Sequence, residues 1–356
     1  MVARILIAAG GTGGHIIPAL ALARELRSRG HEVLMVGNRG GMEVGMFKKA
    51  GLPYRLIFVQ KLYRRFTPAH VRFPFRLLGA LLASRRIIKE YKPHAYIGTG
   101  SYVSGPVGLV ARLLGVSVFL QEQNSFPGLA NRWLSRFATK VYVGYESACK
   151  VLSARDCVLT GNPLLPAPDD DDLPPAPGLR PGAPVLFVIG GSQGSRALNE
   201  SLEPVAAHIA GEGIDILWQT GAANLEHYSK RFENVEGVHI FGFIDDMPRF
   251  YHAATFAMAR AGALTLAELE THRVPSLLVP LPTAAENHQY FNALELTTHG
   301  QAMMLEQKDL DPGHLYEMLL RLRNAAPSMK AHFSDSKHSS AAAVIIDDLL
   351  ATIEQE

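Results

Sequence analysis

The 356-residue chain has only two cysteines, Cys149 and Cys157. That is too few for a disulfide-built scaffold, and no export leader is read at the N-terminus. Both are expected to be reduced thiols that serve as small packing residues. Long apolar runs are also missing: no stretch approaches the ~20 apolar residues that span a bilayer. The opening Met1-Val2-Ala3-Arg4-Ile5-Leu6-Ile7 meets glycines rather than a cleavage site, so it reads as a first buried strand. Net charge is small, with 35 Lys/Arg against 33 Asp/Glu. Apolar residues make up 47% and charged residues 19%, which excludes a largely disordered chain. Two marks of a dinucleotide-binding dehydrogenase are absent. The first glycine loop lacks the third glycine at the required spacing, and Val36-Gly37-Asn38-Arg39 offers no acid for a ribose of NAD.

The small net charge conceals an uneven distribution. Residues 1–165 hold 23 Lys/Arg against 7 Asp/Glu, and residues 166–356 hold 12 against 26. A basic half should attract an anionic partner such as phosphates or lipid headgroups, and the two halves could also attract each other. The length suits about two domains. Their boundary is marked between Pro163 and Pro184, a stretch with eight prolines and the run Asp169-Asp170-Asp171-Asp172. Proline density blocks helices and ladders, so this reads as a linker, and its Asp-x-Asp pattern as solvated acid rather than a metal site. The expected division is an N-terminal domain over 1–163, a linker over 164–184 and a C-terminal domain over 185–339. A final amphipathic helix over 340–356 could pack back on the N-terminal domain.

Each half opens alike. Ile5-Leu6-Ile7-Ala8-Ala9 runs into Gly10-Gly11-Thr12-Gly13-Gly14 and a helical pattern from Pro18 to Arg29. Val185-Leu186-Phe187-Val188-Ile189 runs into Gly190-Gly191-Ser192-Gln193-Gly194-Ser195 and a helical pattern from Ala197 to Ala210. A continuous apolar strand, a loop and a helix open a parallel βαβ unit. Further strands are expected at His31–Val36, Ala95–Ile97, Ser117–Gln121, Lys140–Val143, Ile214–Gln219, Val238–Phe241, Phe256–Met258 and Ser276–Val279. The alternation predicts doubly wound parallel sheets covered on both faces.

Glycine loops after strands let backbone approach phosphates, aided by the helix start that follows. One loop is a weak signal; two in matched positions are stronger. A third, Gly98-Thr99-Gly100-Ser101-Tyr102-Val103-Ser104-Gly105-Pro106, also follows a strand. In Ala261-Gly262-Ala263-Leu264-Thr265-Leu266-Ala267-Glu268, Thr265 could cap a helix facing a diphosphate, and Glu268 could accept from a ribose diol or simply complement the dipole. Gly190-Gly191-Ser192-Gln193-Gly194 also fits a Gly-x-Ser-x-Gly nucleophile elbow, with Asp245 or Asp246 and His252, His272 or His288 as triad partners. That hydrolase alternative leaves the twin architecture unexplained. Residues 59–92 interleave Lys61, Arg64, Arg65, Arg72, Arg76, Arg85, Arg86, Lys89 and Lys92 with Phe66, Phe73, Phe75, Leu77, Leu78, Leu81, Leu82, Ile87 and Ile88. This suits an anionic membrane surface or a core helix with a basic solvated face. No nucleic-acid-binding motif accompanies the charge.

In combination, Gly10–His15, Gly98–Pro106, Glu122-Gln123-Asn124, Gly161-Asn162-Pro163, Gly190–Gly194, Phe243-Ile244-Asp245-Asp246-Met247, Gly262–Glu268 and Gln289-Tyr290-Phe291-Asn292-Ala293 resemble the MurG family of bacterial peptidoglycan transferases over nearly the whole chain. The resemblance implies an α/β GT-B fold, two Rossmann-like doubly wound parallel-sheet domains facing a cleft. It implies transfer of N-acetylglucosamine from UDP-N-acetylglucosamine to the C4 hydroxyl of the muramoyl sugar of lipid I, the undecaprenyl-diphosphate-linked muramoyl pentapeptide, with inversion. The product would be lipid II, made by a peripheral enzyme on the cytoplasmic face of the inner membrane. It implies that Ser192, Leu264 and Thr265 lie by the donor phosphates, Ile244 at the uracil, Glu268 at the ribose, Gln289 and Asn292 at the sugar hydroxyls, and that Ala263 also binds substrate. Thr12, Gly13, Gly14 and Asn124 would close on the sugar and acceptor. The chain departs from the family at Leu165, where arginine is common, at Gln121, at Gln60-Lys61-Leu62-Tyr63-Arg64 and at Ala261. His15, ending the first glycine loop, is the candidate base, or else orients that loop. Helix dipoles and backbone N–H groups could carry the leaving-group charge, so no metal and no cofactor are expected.

Overall fold

The computed structural model describes residues 2–60, 69–166 and 176–355. The run Asp169–Asp172 and Lys61, Arg64, Arg65 and Phe66 lie outside the described residues, as does the side chain of Arg72. The chain divides into two compact units, Met1–Pro166 with Lys337–Glu356, and Ala167–Ser336.

In unit 1 the elements run β1 (Arg4–Ala8), α1 (Gly13–Ser28), β2 (Glu32–Asn38), α2 (Glu43–Lys49), β3 (Tyr54–Ile57), α3 (Ala69–Tyr91), β4 (Ala95–Gly98), α4 (Ser101–Leu113), β5 (Ser117–Glu122), α5 (Leu129–Leu134), β6 (Lys140–Val143) and β7 (Cys157–Leu159). The strands form one parallel sheet in the order β3-β2-β1-β4-β5-β6-β7. Ile5 is flanked by Val33 and Ala95. Along β1, Ile5 and Ile7 enter one apolar cluster while Leu6 and Ala8 enter another. An all-apolar strand is what a sheet buried on both faces requires.

Unit 2 contains β8 (Val185–Ile189), α6 (Arg196–Leu202), α7 (Ala206–Gly211), β9 (Asp215–Gln219), α8 (Leu225–Arg231), β10 (Val238–Phe241), α9 (Met247–Ala253), β11 (Phe256–Ala259), α10 (Ala263–Thr271), β12 (Ser276–Leu278), α11 (His288–Thr298), β13 (Ala302–Met304) and α12 (Pro312–Lys330). Its parallel sheet has the order β10-β9-β8-β11-β12-β13. Both sheets reverse direction of growth beside their first strand. That places a switch point at β1/β4 and another at β8/β11, the position where doubly wound sheets bind ligands.

The last helix, α13 (Ala341–Gln355), packs on α1 in unit 1. Ile345, Ile346 and Leu349 are fully buried in the cluster that holds Ile16, Leu20 and Leu26. Asp348 accepts from Lys140 Nζ at 2.9 Å and Tyr142 Oη at 2.7 Å, and Asp347 pairs with Arg29.

Several details differ from the sequence expectation. The helical pattern over Ala197–Ala210 breaks into α6 and α7, because Pro204 cannot continue the ladder. Helix α1 begins at Gly13, inside the glycine run rather than at Pro18. Cys149 and Cys157 are not free thiols: they form a disulfide. Cys149 lies in the 3₁₀ turn Glu146–Lys150, which packs on the edge strand carrying Cys157; their Cα atoms are 5.9 Å apart, within bonding reach. Among the described residues no helix is long and apolar enough to cross a membrane.

Candidate active site

At the first switch point the β1–α1 turn carries Gly10 to Gly14. A Cβ at Gly10 would come within 2.6 Å of Glu43 Oε1, so only glycine fits above this buried carboxylate. Glu43 Oε1 accepts from Asn38 N at 2.8 Å and fixes the end of β2. Thr12 is the exposed residue before α1; Gly13 and Gly14 are half-buried.

His15 follows at the third helical position. Its Nδ1 lies 2.9 Å from the carbonyl oxygen of Thr99 and 2.9 Å from Gln123 Oε1. A backbone carbonyl can only accept, so Nδ1 carries a proton, and in the neutral ring the lone pair therefore lies on Nε2. This is the tautomer a general base needs. Thr99 Oγ1 donates to the His15 carbonyl at 2.7 Å, and a Cβ at Gly100 would lie 2.9 Å from Nδ1. The third glycine loop therefore serves as the wall against which the imidazole is set.

Behind His15 runs a buried amide chain. Gln123 Nε2 donates to the Thr99 carbonyl at 3.0 Å and to Gln121 Oε1; Gln121 Nε2 donates to Asn162 Oδ1 at 3.1 Å; Asn162 N donates to His338 Nδ1 at 2.7 Å. Gln121, one of the departures from the family pattern, is thus part of the support for His15. Glu122 organises the neighbouring loop, accepting from Asn124 N and Nδ2 (3.0 Å each), Gly128 N (3.0 Å) and Asn131 Nδ2 (2.9 Å). Sequence reading gave Glu122 no role. Its only signal was adjacency to Gln123 and Asn124.

At the second switch point the Gly190–Ser195 turn lies against the end of β9. A Cβ at Gly194, where φ is +74°, would stand 2.0 Å from the Thr220 carbonyl. Gln219 Nε2 donates to the Gly191 carbonyl at 2.8 Å, and Ile244 N donates to Gln219 Oε1 at 3.2 Å. One buried amide therefore links the glycine turn to Ile244. Arg260 Nε donates to Ser195 Oγ at 3.1 Å and ties the turn to the segment entering α10. Gln219 carries no signal of this role in the sequence, since a long-range side-chain partner leaves no local pattern; Arg260 shows there only as the residue preceding the departure at Ala261.

Gly262 caps α10 with extended backbone; Ala263 and Leu264 are buried, Thr265 is half-buried and makes no capping bond. Glu268, on the second turn, is half-buried and accepts from Tyr251 Oη at 2.8 Å. Burial raises its carboxyl pKa from 4.5 to about 7, with the tyrosine hydrogen bond opposing the rise. Tyr251 is itself fully buried, stacked on His272 with ring centroids 5.5 Å apart. Gln289 Oε1 accepts from Leu281 N at 2.9 Å. Asn292 is fully buried and donates to the Ala261 carbonyl at 3.1 Å, bracing the segment before α10.

The hydrolase alternative is not favoured. Ser192 is exposed and has no hydrogen-bond partner among the described residues, histidine included. The left-handed backbone an elbow gives its nucleophile is found here at Gly191 and Gly194, not at Ser192. In unit 1 the surface of α3 is two-sided. Ala80, Ser84, Ile87 and Ile88 face the core, while Phe75 (77% exposed), Leu78 and Leu82 face outward near Arg85, Arg86 and Lys89.

Comparison with known proteins gives a consistent answer. Residues 5–143 match the glycosyltransferase family 28 N-terminal domain, and residues 185–349 match the glycosyltransferase family 28 C-terminal domain. The UDP-N-acetylglucosamine–N-acetylmuramyl-(pentapeptide) pyrophosphoryl-undecaprenol N-acetylglucosamine transferase of Flavobacterium psychrophilum is 33% identical, covering 99% of this chain and 98% of its own. The protein of that name from Listeria monocytogenes is 34% identical, covering 99% and 100%. Among solved structures, Acinetobacter baumannii MurG superimposes with a TM-score of 0.81 at 30% identity, over 99% of this chain and 100% of that one. The calicheamicin glycosyltransferase CalG4, at 16% identity and a TM-score of 0.74, shares the fold.

Proposed function

The chain belongs to glycosyltransferase family 28, and from that premise we propose that it moves N-acetylglucosamine from UDP-N-acetylglucosamine to the C4 hydroxyl of the muramoyl sugar of lipid I, yielding lipid II for peptidoglycan. The observation that carries this reading is the second switch point. There Gln219 and Arg260 tie the glycine turn, Ile244 and the start of α10 into one cradle, with the Glu268 carboxylate on the helix that follows. That combination offers backbone for a diphosphate, an apolar wall for a base and an acceptor for a ribose diol. In this reading Ser192, Ala263, Leu264 and Thr265 line the phosphates, Ile244 the uracil and Glu268 the ribose. Gln289 addresses the sugar, and buried Asn292 holds the wall behind it. Thr12, Gly13, Gly14 and Asn124 of unit 1 contact the sugar and acceptor.

His15 Nε2 takes the proton of the C4 hydroxyl as its oxygen bonds to C1 of N-acetylglucosamine. The bond from C1 to the diphosphate oxygen breaks on the opposite face, which inverts the anomeric centre. UDP leaves with the electron pair, its charge met by backbone N–H groups and the positive end of α10. The outward face of α3, with Phe75, Leu78 and Leu82 beside basic residues, supports peripheral attachment to an anionic membrane on the cytoplasmic side, where the lipid-linked acceptor is embedded.

The test is transfer of labelled N-acetylglucosamine from UDP to a lipid I analogue held in vesicles with or without anionic lipid. Product is expected with UDP-N-acetylglucosamine and not with other UDP-sugars, and faster on anionic vesicles. Absence of product, or equal use of another UDP-sugar, overturns the reaction. Equal rates on both vesicle types overturn the membrane contact.

A further inference from the structure

Arg260 directly follows β11 and stands three residues before the start of α10, with only 8% of its surface exposed. All its hydrogen-bond acceptors are neutral: Ser195 Oγ at 3.1 Å, the Val279 carbonyl at 3.0 Å, the Pro280 carbonyl at 3.3 Å and Gln307 Oε1 at 2.6 Å. No carboxylate pairs with it among the described residues, and burial lowers its pKa with no acid to offset the effect. Two partly covered cations elsewhere do have acids. Arg180 meets the fully buried Asp215 at 2.6 Å, and Lys140 meets Asp348 at 2.9 Å and Asp156 at 3.4 Å.

A buried cation without a counter-ion is costly, and its field is poorly screened. Neutral acceptors satisfy its N–H groups without cancelling its charge. That uncancelled charge lies under the Gly190–Ser195 turn, gripping the hydroxyl of the turn's last residue. Leu165, one of the departures from the family pattern, packs against the apolar core of unit 1 and supplies no charge.

We propose that Arg260 is a positioning residue whose unpaired charge is completed by the donor diphosphate: it holds the glycine turn in shape through Ser195 and attracts the phosphates without touching them. This rests on unit 2 being the donor domain. The inference adds that the missing counter-ion is the substrate itself, so the empty enzyme keeps a buried charge unpaired in order to select a diphosphate over a bare nucleoside.

Removing Arg260 outright risks the fold, so the decisive variant is Gln307→Glu. It leaves the arginine in place and puts a carboxylate where Nη2 already donates at 2.6 Å. Calorimetric titration of the full chain with UDP and with uridine compares wild type, Gln307→Glu, Arg260→Lys and Arg260→Met. The expectation is that Gln307→Glu weakens UDP by about tenfold or more, while uridine affinity and Tm are held or improved. Arg260→Lys should keep most of the UDP affinity that Arg260→Met loses. The proposal is overturned if Gln307→Glu binds UDP within about twofold of wild type, or if UDP and uridine weaken together. If the wild-type protein binds neither, the donor-domain reading fails first and the proposal falls with it.

Discussion

Glu268→Gln should make the empty enzyme more stable and the donor complex weaker, with both effects set by pH. Burial holds the Glu268 carboxyl at about 7 against an ordinary 4.5. A raised folded-state pKa means that the proton stabilises the native state. That contribution is complete below 4.5 and is lost as pH rises through about 7. Above that pH the empty enzyme carries a half-buried carboxylate, at a cost of roughly 1–3 kcal/mol once solvent screening is allowed for. Glutamine removes this cost, so the variant should gain stability at pH 8 and match wild type near pH 4.5. Binding runs the other way. If the ribose diol needs the ionised form, only about a tenth of the enzyme is competent at pH 6 and about nine-tenths at pH 8, so donor affinity should differ by about tenfold. The ligand for this measurement is UDP-N-acetylglucosamine rather than UDP, because its diphosphate has no terminal phosphate that titrates near 6. Calorimetry across pH 6–8, paired with urea unfolding of the empty protein, reads both halves. Donor affinity that stays flat in wild type, or a slope that persists in Glu268→Gln, refutes the assignment.

Two further outcomes follow from unit 1. His15→Ala should lower kcat by about 10²–10⁴ while leaving UDP affinity within about twofold, since the donor contacts are assigned to unit 2; turnover near wild type removes His15 as the base. Ile345→Ala opens a cavity in a fully buried position of α13 and should cost about 3 kcal/mol. Hydrogen exchange should then show lost protection in β1, β2 and α1 but not in β8 or β9. Uniform loss across both units would mean that the last helix does not belong specifically to unit 1.

Every interior strand is legible in the sequence, and one edge strand, Val238–Phe241, is legible with them. Val185–Ile189 and Ile5–Ala8 are buried on both faces, so every residue must be apolar and the run announces itself. The three that escaped, Tyr54–Ile57, Cys157–Leu159 and Ala302–Met304, lie at sheet edges, are three or four residues long and are only partly buried. Such segments are too short and too mixed to show a period. The glycine loops were legible as phosphate cradles, yet their division of labour was only partly so. Gly100 makes room for an imidazole, and Gly194 for the Thr220 carbonyl.

By itself the sequence determined the class of fold, the doubling of it and the family, because these rest on local runs and ordered motifs that survive without knowledge of partners. Tertiary structure alone decided which nitrogen of His15 is basic, that Cys149 and Cys157 are joined, that Gln219 and Arg260 hold the second glycine turn, and that Glu268 shares its proton equilibrium with burial and a tyrosine. Each of those depends on a group far away in the chain. A polar residue's chemistry is set by what surrounds it, and only the folded chain assembles those surroundings.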